Sequence, residues 1–211
     1  MRIALMAGPS AAGKTSVLLH ALRPLADKGL RLHLVKFDCL AGSDAGLYEA
    51  AGFEVEVRLG RDICPDHHFV QELGEAWLDA EDAGADLLVA ETAGLCDRCS
   101  PFLVRAGAVC VLPLTASLHA PARLRAQTAW ADLVVLTRAE LVSQAEREVF
   151  RANLAEINPR AAVVEINGLT GEGASYLSRW LEALPELRLL DSERLRYPVP
   201  RGDCGRCTGG M

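Results

Sequence analysis

Hydrophobic residues along the chain gather into short, nearly pure runs separated by polar turns, with longer stretches of mixed character between them. Arg2–Ala7 is the first such run and predicts a short buried strand; a Gly-rich turn follows, and Ser16–Leu22 then has helical spacing. After the turn at Lys28-Gly29, Arg31–Phe37 predicts a second strand, and Phe53–Val57 alternates as a third would. Phe69–Glu81 has the pattern of an amphipathic helix. Asp86–Ala90, Ala108–Leu112, Leu133–Leu136 and Ala162–Ile166 are further short apolar runs, and Tyr176–Leu187 predicts a last helix. Strands this short and this apolar need cover on both faces, which a parallel sheet between two helical layers provides. The expected architecture is therefore a three-layer α/β fold with a mostly parallel central sheet and right-handed crossovers. Residues 1–188 are read as one domain. Residues 189–211, largely polar, rich in Pro and Gly and carrying two cysteines, are read as a tail.

Composition narrows the function classes. The 211 residues are 50% hydrophobic and 24% charged, inside the globular range. A formal net charge of -6 leaves no overall positive field for nucleic acid or an anionic membrane, so neither is expected as a partner. No apolar run approaches the roughly 20 residues that span a bilayer, and the opening run is shorter than a secretory core region, which points to the cytoplasm. Seven cysteines, an odd count, then argue for metal or redox chemistry rather than a disulfide framework. Cys110, inside the run Ala108–Leu112, reads as core.

The most specific motif is Gly8-Pro9-Ser10-Ala11-Ala12-Gly13-Lys14-Thr15, followed by Ser16, which matches G-x-x-x-x-G-K-[ST] between a first strand and a helix. Gly8 and Gly13 let the backbone wrap around phosphate oxygens, and amides at a helix N-terminus supply positive potential. Lys14 reaches the β- and γ-phosphates, and the Thr15 hydroxyl is placed to ligate Mg²⁺. The chain has only three lysines against nineteen arginines, and a compact ammonium suits a tight phosphate nest better than a planar fork. Carboxylates for the same site are expected after neighbouring strands. Asp38 follows the second strand and Glu91 the fourth, both at the sheet edge where ligands of open parallel sheets bind; Asp44 is a weaker third candidate.

With these motifs in this order, the chain resembles the HypB/UreG family of nickel-insertion GTPases. The resemblance is carried by Glu91-Thr92-Ala93-Gly94, Thr137-Arg138-Ala139-Glu140-Leu141 and the loop from Asn167 to Gly173, all behind the phosphate loop, and spans roughly residues 2 to 187. It implies a P-loop NTPase fold, a homodimer, and delivery of a transition metal to a client metalloenzyme or its accessory proteins. The family usually carries Asn-Lys-x-Asp for guanine recognition; here the matching residues are Thr137, Arg138 and Glu140. A carboxylate accepts from guanine N1–H and the exocyclic amine together, a donor pair adenine lacks, so Glu140 favours GTP while ATP stays open. Asn167, Gly168 and Leu169 are placed by the resemblance at the base.

For the transported metal, Cys64 and His67 occupy the position of the family's Cys-His motif, and one such pair from each subunit would complete four ligands for Ni²⁺ or Zn²⁺. Cys96 and Cys99 form a C-x-x-C directly after the Glu91 segment, a set that suits Zn²⁺ or an iron–sulfur cluster. Cys204 and Cys207 form a second C-x-x-C in the tail. The principal alternative is an ATPase whose dimer-bridging [4Fe-4S] cluster on Cys96 and Cys99 delivers electrons or the cluster to a partner.

Overall fold

In a computed structural model the described residues are 1–39, 44–60, 65–94, 99–190 and 194–197, with the side chains of 44, 45 and 65–67 excepted. Seven strands are β1 (Arg2–Ala7), β2 (Leu32–Asp38), β3 (Glu56–Leu59), β4 (Leu87–Thr92), β5 (Gly107–Pro113), β6 (Leu133–Thr137) and β7 (Ala162–Glu165). They form one sheet in the order β3-β2-β4-β1-β5-β6-β7, parallel at every pairing. The helices are α1 (Lys14–Asp27), α2 (Asp44–Ala50), α3 (Pro65–Asp82), the short α4 (Ala120–Arg123) and α5 (Arg125–Thr128), α6 (Gln144–Ile157) and α7 (Ala174–Glu182).

Strand alternation sorts the core into two layers. Ile3, Leu5, Phe37, Leu88, Ala90, Cys110 and Leu136 face one way, against Phe69, Leu73 and Trp77 of α3 and Phe150 and Leu154 of α6. Ala4, Met6, Leu34, Val89, Val109 and Val135 face the other, against Val17, Leu18 and Leu22 of α1, Tyr48 of α2 and Leu177 and Leu181 of α7. Burial of both faces is what the unbroken apolar strands require.

Helix ends follow local rules. Leu30 N donates to Leu25 O while left-handed Gly29 donates to Ala26 O, the paired bonds that close a Schellman motif; Phe53 with Gly52 closes α2 and Ala85 with Gly84 closes α3 the same way. Ser143 and Glu146 form a capping box that starts α6. Two expected boundaries shift and one helix is added, for reasons of the same kind. Phe53 belongs to the stop of α2, its amide bonded to Tyr48 O, so β3 begins at Glu56 rather than at Phe53. Alternation alone gave no sign of α2, whose seven residues are too few to display a helical period. Pro185 keeps α7 from running to Leu187, and the chain instead bonds Leu187 to Met1 in both directions.

Within the stretch read as a tail, residues 194–197 pack on the domain. Leu195 bridges Leu103 in antiparallel fashion, and Arg196 reaches Leu103 O (2.7 Å), Ala106 O (2.9 Å) and both Asp132 carboxylate oxygens (2.7 Å each). This anchor lies at the amino-terminal edge of β5 and β6, opposite the phosphate loop. Among the described residues no helix is long and apolar enough to cross a membrane.

Candidate functional site

The phosphate loop is the turn between β1 and α1. Gly8 has φ 140° and a Cβ there would lie 2.2 Å from Val111 O, so only glycine lets the loop pass this close to β5. Gly13, at φ 90°, is the N-cap of α1 and sets the positive end of that helix beside the loop. Lys14 is buried and its ammonium donates to Gly8 O (3.0 Å), Pro9 O (2.9 Å) and Ala93 O (3.4 Å). The Thr15 hydroxyl donates to the Glu91 carboxylate, 2.9 and 3.1 Å from its two oxygens.

Glu91 is the next-to-last residue of β4 and is 2% exposed. Two residues that the sequence pattern does not single out also reach it. The Tyr48 hydroxyl, from α2, donates to Oε2 at 2.7 Å, and Lys36 Nζ, from β2, lies 3.7 Å from Oε1. Lys36 and Glu91 are register partners on adjacent strands. The available signal was Lys36 itself, a cation inside the apolar run Leu34–Phe37 and one of three lysines in the chain. Tyr48 had none, because its contact with Glu91 exists only after α2 folds onto the sheet.

Asp38 ends β2 on the same strand face as Lys36, two residues further on, and its Oδ1 accepts the Cys39 amide at 2.8 Å. The Thr15 hydroxyl therefore bonds to Glu91 of the two predicted acids, while Asp38 secures its own turn. The side chain of Asp44 lies outside the described residues.

The segment leaving β4 is stitched to the phosphate loop. Ser10 N donates to Gly94 O at 3.1 Å, and a Cβ on Gly94, whose φ is 75°, would sit 1.7 Å from Gly8 O. On the other flank, the Thr137 hydroxyl donates to Ala12 O at 2.7 Å and the Arg138 guanidinium to Ala11 O at 2.6 Å. Ala11 and Arg138 are both non-glycine residues with positive φ, 57° and 62°. Glu140 is exposed on the 3-10 turn Ala139–Leu141. Gly168 packs beside Ser16, where an added Cβ would be 3.2 Å from the Ser16 Cβ. The Asn167 side chain accepts the amides of Leu169 and Thr170, and His20 Nε2 donates to Gly168 O at 3.2 Å. The 137–140 turn and the 167–169 loop thus pack against the phosphate loop and the start of α1, at the carboxyl edge of the sheet.

Of the predicted metal ligands, Cys99 is described: it is 1% exposed and its carbonyl accepts from Gln127 Nε2 at 3.5 Å. Cys64, Cys96, Cys204 and Cys207, and the side chain of His67, lie outside the described residues. The neighbouring His68 sits edge-on to Phe37 with ring centroids 5.9 Å apart, and its Nε2 is buried without a hydrogen-bond partner, as are Thr92 Oγ1 and Ser100 Oγ. Among the described residues no group of three or more His, Cys, Asp or Glu side chains is arranged to hold a metal ion. Burial pushes the Cys110 thiol up to about 12, so it stays protonated and unreactive in the core at neutral pH.

A seven-stranded parallel sheet with helices on both faces, and a phosphate loop leading from its first strand into α1, define the P-loop NTPase class. Residues 2–165 match the family profile of the CobW/HypB/UreG nucleotide-binding domain, and the chain belongs to that family. An uncharacterized protein of Methanocaldococcus jannaschii is 39% identical over 209 residues, covering 99% of this chain and 89% of its own length. The hydrogenase maturation factor HypB of Rhizobium leguminosarum bv. viciae is 28% identical over 185 residues, 86% of this chain and 60% of that protein. Among solved structures, HypB from Archaeoglobus fulgidus superposes with a TM-score of 0.68 at 18% identity, covering 86% of this chain and 89% of that one. HypB from Helicobacter pylori in complex with nickel does so at 0.68 and 15% identity, covering 86% of each. At these identities the solved structures speak to the fold.

Proposed function

We propose that this chain is a magnesium-dependent GTPase that acts as a homodimer and couples GTP binding and hydrolysis to delivery of nickel or zinc to a client metalloenzyme. The observation that carries the reading is the buried bond from Thr15 to Glu91 beneath the phosphate loop, in a chain of the CobW/HypB/UreG family. The donor set fits Mg²⁺. A hydroxyl has one proton and two lone pairs, so Thr15, by donating to Glu91, keeps its lone pairs for a hard cation, and Glu91 adds carboxylate oxygens. Held by Thr15 and Glu91, Mg²⁺ would supply positive charge that offsets the negative charge developing as the terminal phosphoryl group leaves.

The remaining work falls to side chains and backbone. Lys14 exchanges its carbonyl partners for β- and γ-phosphate oxygens, and the loop amides with the α1 terminus hold the rest of the phosphate chain. Water attacks the γ-phosphorus, the bond to the β–γ bridging oxygen breaks, and GDP and phosphate leave; Asp38 and Glu91 orient the water and the cation. Glu140 accepts from guanine N1–H and N2–H, Arg138 covers the base, and Asn167, Gly168 and Leu169 border it.

Coupling to the transported metal runs through the exit of β4. Ser10 N and Lys14 Nζ donate to Gly94 O and Ala93 O, and phosphate oxygens compete for those same donors. Nucleotide binding then loosens the hold on the segment leading to Cys96 and Cys99, a second thiolate pair, while Cys64 and His67, one pair from each subunit, hold the ion. The test is turnover of GTP and ATP with and without Mg²⁺, repeated with added Ni²⁺ or Zn²⁺. The reading predicts magnesium-dependent hydrolysis, faster with GTP and altered by the transition metal. Turnover of neither nucleotide would overturn it.

A further inference from the structure

The Glu91 carboxylate is held from three elements besides its own strand. Thr15 of α1 and Tyr48 of α2 donate hydroxyl hydrogens to it, and Lys36 of β2 places an ammonium 3.7 Å away. All four side chains are at most 6% exposed. Thr15 also belongs to the phosphate loop, whereas Tyr48 belongs to α2 and reaches the site through Glu91's carboxylate. The far end of α2 is fixed independently: the Arg23 guanidinium of α1 donates to Ala51 O and lies over the Phe53 ring, 4.9 Å from its centroid.

We propose that Tyr48 is a positioning residue for the magnesium site, its hydroxyl orienting Glu91 and thereby tying α2 to occupancy of the nucleotide cleft. This inference rests on the reading of Thr15 and Glu91 as the magnesium-holding pair. A buried carboxylate with a single donor can turn about its last torsion, but donors on both sides fix the plane of its two oxygens. Tyr48 supplies the 2.7 Å bond to Oε2, and Lys36 sits toward Oε1, so the oxygens are distinguished before any cation arrives. Removing a group that orients a metal ligand typically costs about 10–100-fold in metal affinity. Reciprocity follows: a cation that pulls on Glu91 pulls on Tyr48, and whatever displaces α2 weakens the cation site.

The experiment titrates Mg²⁺ into the full chain with a fluorescent GTP analogue and reads nucleotide binding, with melting temperature recorded in parallel. Tyr48→Phe keeps the buried ring and removes only the hydroxyl. The half-saturating Mg²⁺ concentration should rise about tenfold, while binding of the analogue without Mg²⁺ stays as in wild type. In a Glu91→Gln background the same substitution should have little further effect, because the hydroxyl acts through the carboxylate. An unchanged magnesium midpoint in Tyr48→Phe overturns the proposal, as does a tenfold shift that persists in full on Glu91→Gln. If the wild-type chain itself binds the analogue with no magnesium dependence, the underlying assignment of Thr15 and Glu91 fails instead, and the two failures are thereby told apart.

Discussion

Around the phosphates the polar groups are buried and meet side chain to side chain, as Thr15, Lys36, Tyr48 and Glu91 do. The residues proposed to flank the base differ: Glu140 and Leu169 are exposed, and the buried Thr137 hydroxyl and the Arg138 guanidinium bond to backbone carbonyls of the phosphate loop. The difference teaches how freely each half can vary. Losing one member of a buried charged cluster strands its partner away from water and costs several kcal/mol, by about 3–5 for a broken buried pair. An exposed base contact can change with little cost to the fold, so selectivity for the base can drift while phosphate chemistry stays fixed. Glu140, which the resemblance sets where Asp is usual, is a departure of that tolerated kind; Thr137, buried and bonded to Ala12 O, is not.

Substitutions that probe the contrast separate by size. Lys14→Ala removes the only side-chain cation of the phosphate loop and should lower hydrolysis by about 100-fold or more, with the circular dichroism spectrum unchanged; near-normal turnover would mean that the loop does not hold the phosphates. On the base side, Glu140→Ala should leave ATP turnover near wild type and lower the GTP to ATP ratio of kcat/KM by about tenfold, the value of a hydrogen bond to a charged group. An unchanged ratio would break the comparison at its weaker half. Arg138→Ala, which frees the left-handed Ala11 turn from its guanidinium anchor, should raise KM for the nucleotide about threefold and leave kcat nearly alone.

The smallest effect belongs to a pair outside the cleft. Arg31 bonds to Asp86 through its side chain and backbone amide and holds that carboxyl down to about 2. A depressed carboxyl stabilises the fold above its unfolded value of about 3.9 and loses that contribution as pH falls toward about 2. Because both groups are largely exposed, solvent screens most of it. Arg31→Ala should lower the melting temperature slightly at pH 7, and the gap to wild type should close between about pH 4 and pH 2.

How much of this was legible in the sequence depended on the range of the interaction. The strand Arg2–Ala7, the phosphate loop and the position of Glu91 at the end of the apolar run of β4 are local patterns, and an apolar run followed by glycines reads directly. Helix α2 was not legible, since its seven residues are too few for a period and its stop consumes Phe53, which alternation assigned to a strand. Lys36 and Tyr48 escaped notice for a related reason. Residue spacing carries no information on which strand lies beside which, and the Lys36 pairing with Glu91 follows from β2 and β4 being neighbours. Asp38 shows the converse, a carboxylate at the right edge whose nearest donor is its own next amide.

The central claim is that nucleotide state governs a transition-metal site, and the most direct measurement is metal and acid-labile sulfide content of protein purified anaerobically without a metal-binding tag, with and without a non-hydrolysable GTP analogue. The account predicts nickel or zinc bound in proportion to dimer, shifted by the analogue, with no sulfide. Iron with matching sulfide, or a metal content indifferent to nucleotide, would contradict it.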